Sequence, residues 1–193
     1  KIQEGRAREV VAARKASPPT EPAKRLLLAW ALVRAGDTAA ARHQLSAALS
    51  AWRTLSPGRD LTLAAVRSQV SLPGPALTLR NCTGRWVPAM FRLGLGWALP
   101  RSADLTAVRI GGTAWVTIPG ELQTQLGLEI KTAGRRAFEE TFVAGYSNDY
   151  LGYFLTRRDF TQPSYVACGS FYGETGGEIV RDAAVELLGR LAE

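Results

Sequence analysis

The sequence is nearly without histidine: His43 is the single one in 193 residues. Cysteine occurs only as Cys82 and Cys168, methionine only as Met90, and lysine only as Lys1, Lys15, Lys24 and Lys131. One imidazole cannot build a site that needs two. The two cysteines stand in unrelated contexts with no CxxC pair, so neither a zinc knuckle nor a disulfide framework is indicated, and one bridge between them stays open. No apolar run approaches the roughly 18 residues that a membrane-spanning helix requires. The opening Lys-Ile-Gln-Glu-Gly has no initiator Met and no signal-peptide pattern, which makes the chain read as a processed or truncated piece.

What the chain does have is core material. Hydrophobic residues make up 46% and charged residues 21%, a balance that excludes disorder and fits one globular domain with room for a small helical appendage. The net charge of +7 comes from 24 basic and 17 acidic residues, and nearly all of the excess lies in residues 1–60. Arginine dominates along the whole length, as a coding bias would produce. No groove-reading motif accompanies the charge, so nucleic acid is not an expected partner. The Arg-rich N-terminal region leaves peripheral contact with acidic lipid headgroups as an option beside a plain solvated face. Asn81-Cys82-Thr83 is a formal glycosylation sequon, meaningful only in a secreted eukaryotic protein.

The helix-friendly stretch from Gln3 to Ala16 ends at Ser17-Pro18-Pro19-Thr20-Glu21-Pro22, where three prolines forbid continuation. Lys24–Ala35 and Thr38–Leu55 then read as two helices around Gly36-Asp37, with Leu28, Leu32, Leu45, Leu49 and Trp52 at helical spacing. The pair resembles one tetratricopeptide-type hairpin. A lone repeat cannot bury its faces and no second copy follows, so a helical insertion on a larger domain is the reading for residues 1–56. His43, inside it, is a surface or packing residue.

Residues 57–193 have a different texture. Leu61–Leu72, Ala76–Leu79, Arg85–Leu95 and Leu105–Ile110 alternate as strands do, broken by Gly and Pro. Thr113–Ile118 is a short apolar strand, Pro119-Gly120 follows, and a helical pattern runs from Glu121 through Leu122, Leu126 and Ile130. Thr141–Gly145 is a second apolar strand. Strand, helix and strand make a βαβ unit with parallel strands. Thr175-Gly-Gly-Glu178 has the spacing of a capping box, opening a last helix with Ile179, Ala183, Leu187 and Leu191 on one face. The fold expected is α/β, a mixed sheet with a βαβ unit preceded by a helical hairpin, forming part of a larger catalytic domain.

Ligands of open α/β sheets collect beyond the carboxyl ends of the strands. Two loops meet there: Pro119-Gly120-Glu121, and Tyr146-Ser-Asn-Asp-Tyr150-Leu-Gly-Tyr153. A glutamate beside tyrosines could bind a dication, since both supply hard oxygen donors and a phenol near a metal can lose its proton. The competing readings are a first-turn acid favoured by the helix dipole and aromatic packing in a loop.

At these residues the sequence resembles the neutral/alkaline ceramidases. Ile118-Pro119-Gly120-Glu121 is similar to that family's Pro-Gly-Glu segment, and Gly145–Tyr153 to its Gly-x-x-Asn-x-Tyr-x-x-Tyr segment, with Thr156 following in place. Tyr165-Val-Ala-Cys-Gly-Ser-Phe-Tyr172-Gly173 resembles its Tyr-x-Ala-x-x-Ser/Thr-x-Tyr-Gly stretch. The likeness covers about residues 104–190. It implies a zinc amidase that cleaves the N-acyl bond of ceramide or a related N-acyl lipid, with zinc held by two histidines, a glutamate and a tyrosine. The positions matching the last two are Glu121 and Tyr153, and Tyr150, Asn148 and Tyr165 match motif positions around them without being ligands. The family's zinc histidines and active-site serine come from earlier segments that nothing in residues 1–100 resembles. The resemblance therefore implies a C-terminal portion of a ceramidase-like enzyme, inactive alone and bound to zinc only when a histidine-bearing segment, even a separate chain, completes the site. The alternative is a non-catalytic homologue serving as a binding or scaffold module. A secreted or periplasmic location is favoured over a cytoplasmic one.

Overall fold

The computed structural model describes residues 22–55 and 61–193, so the expected helix at Gln3–Ala16 and the stretch Ser17–Glu21 lie outside the described residues. The chain divides after Arg59 into two compact units. Among the described residues no helix is long and apolar enough to cross a membrane.

The described residues of the first unit form a hairpin of α1 (Pro22–Arg34) and α2 (Thr38–Arg53). Proline suits the first turn of α1, where its missing N–H has no partner to lose. Gly36, at φ +81°, ends α1 in a left-handed turn, with its own N–H bonded to Val33 O and that of Asp37 to Leu32 O. Asp37 then caps α2 by accepting from the Ala40 N–H at 3.0 Å. Leu28 and Leu32 are buried as expected, but Leu45, Leu49 and Trp52 are not, Trp52 being 71% exposed. The face of α2 that meets α1 is Ala41, Gln44 and Ala48. Small residues let the helix axes approach closely, and among the described residues of this unit α1 is the helix that α2 packs against. Gln44 is carried inside because its Oε1 accepts from Arg25 Nη1 at 3.1 Å.

The second unit is built on a four-stranded sheet, order β1 (Leu63–Ser71), β4 (Ser102–Ile110), β5 (Thr113–Thr117), β7 (Glu140–Ala144). The first three run antiparallel, with β4 and β5 joined through Gly111-Gly112, while β5 and β7 are parallel. Two short ribbons complete the strands: β2 (Ala76–Thr78) with β3 (Arg92–Gly94), and β6 (Glu121–Leu122) with β8 (Tyr153–Phe154). The helices are α3 (Leu79–Thr83), α4 (Thr124–Gly134), α5 (Arg157–Phe160), α6 (Tyr165–Cys168) and α7 (Gly176–Ala192). The mixed sheet with a βαβ unit agrees with the sequence reading. Leu105, Ala107, Ala114, Val116 and Ile118 are buried and share one core with Ile130 of α4 and Val180, Ala184 and Leu187 of α7.

Three local expectations are corrected. The helix after β5 begins at Thr124, because Glu121 and Leu122 are held extended by pairing with Tyr153 and Phe154. Thr175 forms no side-chain cap on α7, and the Glu178 carboxylate accepts instead from the Arg157 N–H at 2.8 Å, capping α5. Of Arg85–Leu95 only Arg92–Gly94 is strand, since turns closed by Val87 N–H to Gly84 O and Phe91 N–H to Pro88 O occupy the rest.

The two cysteines do bridge, tying α3 to α6. Asn81, 4% exposed, is no glycan acceptor in the folded chain: its Nδ2 donates to Phe160 O at 3.0 Å and to Ala167 O at 3.3 Å. The bridge spans 86 residues of sequence, a separation at which chain-entropy arguments give a large constraint on the unfolded state. Reduction, or the pair Cys82→Ser/Cys168→Ser, is expected to destabilise the second unit by about 2–5 kcal/mol, read as a lowered thermal midpoint with and without reductant.

Candidate functional site

Glu121 is placed by backbone alone. Beyond β5 the Ile118 N–H bonds Ala144 O at 2.8 Å, prolonging the parallel ladder, and the chain then turns at Pro119-Gly120. The loop after β7 folds back on this turn: Tyr146 N–H to Gly120 O at 3.1 Å, Ser147 N–H to Ile118 O at 3.1 Å, and Leu151 N–H to Pro119 O at 2.8 Å. Glu121 N–H then reaches Gly152 O at 2.9 Å, and Tyr153 N–H reaches Gly169 O at 3.0 Å. Such proximity demands glycine. A Cβ on Gly120 would lie 2.4 Å from Gly152 O, and one on Gly152, whose φ is +86°, would lie 2.4 Å from Gly169 O. The outcome is a parallel register in which Glu121 sits opposite Tyr153, so both side chains leave the ribbon on the same side.

Three phenols converge on the carboxylate. Tyr150 donates its hydroxyl to Glu121 Oε1 at 3.1 Å, and the hydroxyls of Tyr146 and Tyr153 bond to the same group. Tyr146 and Tyr150 stack with ring centroids 5.4 Å apart. Tyr165, on α6, meets Tyr153 edge-on at 5.8 Å and bonds to its hydroxyl. The sequence-selected Glu121, Tyr153, Tyr150 and Tyr165 therefore form one cluster. Asn148 stands apart from it: its Nδ2 donates to Thr117 Oγ1 at 3.0 Å and to Asp104 O at 3.5 Å, pinning the loop to the sheet. Tyr146 was missed. It occupies an unspecified position of the matched segment, and its φ of +54°, a left-handed value uncommon for a bulky side chain, has no signature in sequence.

The charges follow the geometry. Hydrogen bonds from Tyr146 above all, with Tyr153 and Tyr150, hold the Glu121 carboxyl below its ordinary range against partial desolvation. The same carboxylate, through its hydrogen bond, pushes Tyr146 up to about 12 and raises Tyr153, while Tyr150 is raised by desolvation first and Glu121 second. Glu121 also lies between two cavities. One, of 380 Å³, is lined by Leu122, Gly127, Leu128 and Val143; the other, of 450 Å³, by Tyr153, Asp159, Gln162 and Ser164.

As a metal-binding set this is partial. Glu121 and Tyr153 supply oxygen donors side by side, yet a zinc site needs three or four ligands, most often imidazole or thiolate. Among the described residues no group of three His, Cys, Asp or Glu stands together. The donors present do not complete a zinc site.

In the chain as it stands, the depressed Glu121 contributes stability above the usual carboxyl range and loses it as pH falls through its lowered value. The raised tyrosines contribute below pH 10 and lose it as pH rises through their elevated values. Phenolate absorbance is expected to show Tyr146 ionising near 12 and to move back toward 10 in Glu121→Gln.

No family model matches the chain. Solved structures that resemble it include two ceramidases. The neutral ceramidase from Pseudomonas aeruginosa superposes with a TM-score of 0.55 at 16% identity, covering 81% of this chain and 32% of that one. A ceramidase complexed with C2 gives a TM-score of 0.52 at 17% identity, covering 81% and 33%. The chain thus spans about a third of the length of the structures it matches, and its fold is that of part of a neutral ceramidase.

Proposed function

We propose that this chain is the C-terminal portion of a ceramidase-like amidohydrolase acting on the N-acyl amide bond of ceramide or a related N-acyl lipid. In this reading Glu121 and Tyr153 are its share of a zinc site that a histidine-bearing segment completes, and the chain alone is inactive. The observation that carries it is the β6–β8 register, which brings together the glutamate and tyrosine expected to act as ligands on a backbone like that of the ceramidases.

Zinc, when bound, would supply the Lewis acidity that polarises an amide carbonyl and activates water. The chain's own residues do the positioning. Tyr150 and Tyr146 fix the carboxylate by donating to it, Tyr165 fixes the ring and hydroxyl of Tyr153, and Asn148 ties the Tyr146–Tyr153 loop to β4 and β5. The Cys82–Cys168 bridge supports maturation in an oxidising compartment, in keeping with a secreted or periplasmic site of action.

Metal analysis separates this reading from that of a scaffold module. The 193-residue chain, dialysed against zinc, is expected to retain far less than one equivalent, and Glu121→Ala or Tyr153→Phe in the longer protein to lower hydrolysis of a fluorogenic ceramide by about 10²-fold or more. Tight stoichiometric zinc in the lone chain, or full activity in both variants, would sink the proposal.

A further inference from the structure

Between Trp86 and Pro100 only Val87, Leu95 and Leu99 are even partly covered. The residues left in the open are apolar: Trp86 is 95% exposed, Trp97 87% and Met90 80%, with Phe91 and Leu93 more than half exposed. A lone apolar residue at the surface is ordinary, whereas a run this dense marks a contact face. The segment is nonetheless held in place. Leu79 N–H bonds Phe91 O at 3.1 Å, Leu95 N–H bonds Pro75 O at 2.8 Å, and the Tyr172 hydroxyl donates to Pro100 O at 2.9 Å. In the β2–β3 ribbon Leu93 stands opposite Leu77, so both project from the side away from buried Thr78, and Phe91 continues that alternation. The charge around these residues has one sign. No Asp or Glu occurs between Asp60 and Asp104, while Arg80, Arg85, Arg92 and Arg101 do. Arg85, Arg92 and Arg101 are exposed and stand in no ion pair among the described residues. A partner for this face must offer apolar depth beneath a uniformly negative rim, which is what acyl chains under a layer of phosphates present.

We infer that the Trp86–Trp97 protrusion docks on an anionic lipid surface. Indole rings settle at the headgroup level, where the ring is shielded from water and the N–H is not, and guanidinium groups pair with phosphate through parallel hydrogen bonds. Trp86, Trp97 and Phe91 supply the first contact, and Arg85, Arg92 and Arg101 the second. The inference goes beyond the zinc half-site and does not depend on it. The Cys82–Cys168 bridge ties the base of the protrusion to α6, whose Tyr165 meets Tyr153, so the docking face and the cluster share one support.

The test needs no metal. The 193-residue chain is sedimented with vesicles of phosphatidylcholine containing phosphatidylglycerol, and with vesicles of phosphatidylcholine alone. It is expected to bind the anionic vesicles well above the neutral ones, and less tightly as salt is raised. Trp86→Ser/Trp97→Ser and Arg85→Gln/Arg101→Gln, all at exposed positions, are expected to keep the parent's thermal midpoint and each to weaken binding on the order of tenfold. The pair Trp30→Ser/Trp52→Ser, at exposed positions of the helical hairpin, should bind as the parent does. No binding to the anionic vesicles, binding undiminished in both loop variants, or a loss that falls on the hairpin pair instead overturns the assignment, the first of these giving the face to a protein partner. Zinc content is read separately, so failure here leaves the half-site standing, and tight zinc in the lone chain leaves the docking face standing.

Discussion

The close approach of three backbone segments, at Gly120, Gly152 and Gly169, is the constraint on which the site depends. Carbonyl oxygens stand where the Cβ atoms of Gly120 and Gly152 would be, the ring of Tyr153 stands where that of Gly169 would be, and the N–H groups of Glu121 and Tyr153 are satisfied by the carbonyls of Gly152 and Gly169. Because the ribbon so formed is parallel and in register, the acid and the phenol are presented together with no freedom to separate. The carboxylate then orders the remaining phenols, so the electrostatics of the cluster are a secondary effect of main-chain packing.

The mixed sheet provides the platform. Its antiparallel half, in which the chain leaves β1 through β2, α3 and β3 before returning as β4, is covered by one face of α7, while the parallel step from β5 to β7 sends the chain out through α4 and returns it with both loops on one edge. Only the parallel step could bring Pro119-Gly120 and the Tyr146–Tyr153 loop together, since an antiparallel hairpin would have put their strand ends at opposite edges. The opposite sheet face carries the stacked pair Trp115 and Phe142, 4.5 Å between centroids and each partly exposed. The stacking limits the apolar area that the pair shows to solvent.

The parts of this arrangement legible in the sequence were those written in residue identity at fixed spacing. The strand and helix patterns gave the βαβ unit and put two loops at one sheet edge, and the resemblance of the segments there to ceramidase motifs is what singled out Glu121 and Tyr153. What was not legible depends on through-space partners. Leu122 continues the apolar periodicity of α4, and the pairing of Glu121 and Leu122 with Tyr153 and Phe154 keeps both out of the helix. Glu178 stands three residues after a threonine, as a capping box requires, but the nearest open donor belongs to Arg157. In α2 the leucines advertise a face, and the alanines and Gln44 win it because close helix approach favours small residues over large ones. Tyr146 and the Cys82–Cys168 bridge depend on a left-handed turn and on a separation of 86 residues, neither of which leaves a local mark.

The buried amide of Asn81 has a bearing on how such a chain can be produced. Its sequon is read by oligosaccharide transfer before folding is complete, whereas the folded protein spends both N–H groups of that amide on Phe160 O and Ala167 O and joins the next residue to α6. A sugar attached there would occupy the seat of α6 and part the two sulfurs. Glycosylation and folding are mutually exclusive fates of this segment, and a eukaryotic secretory host would divide the product between them, while a bacterial periplasm offers the oxidising conditions without that competition.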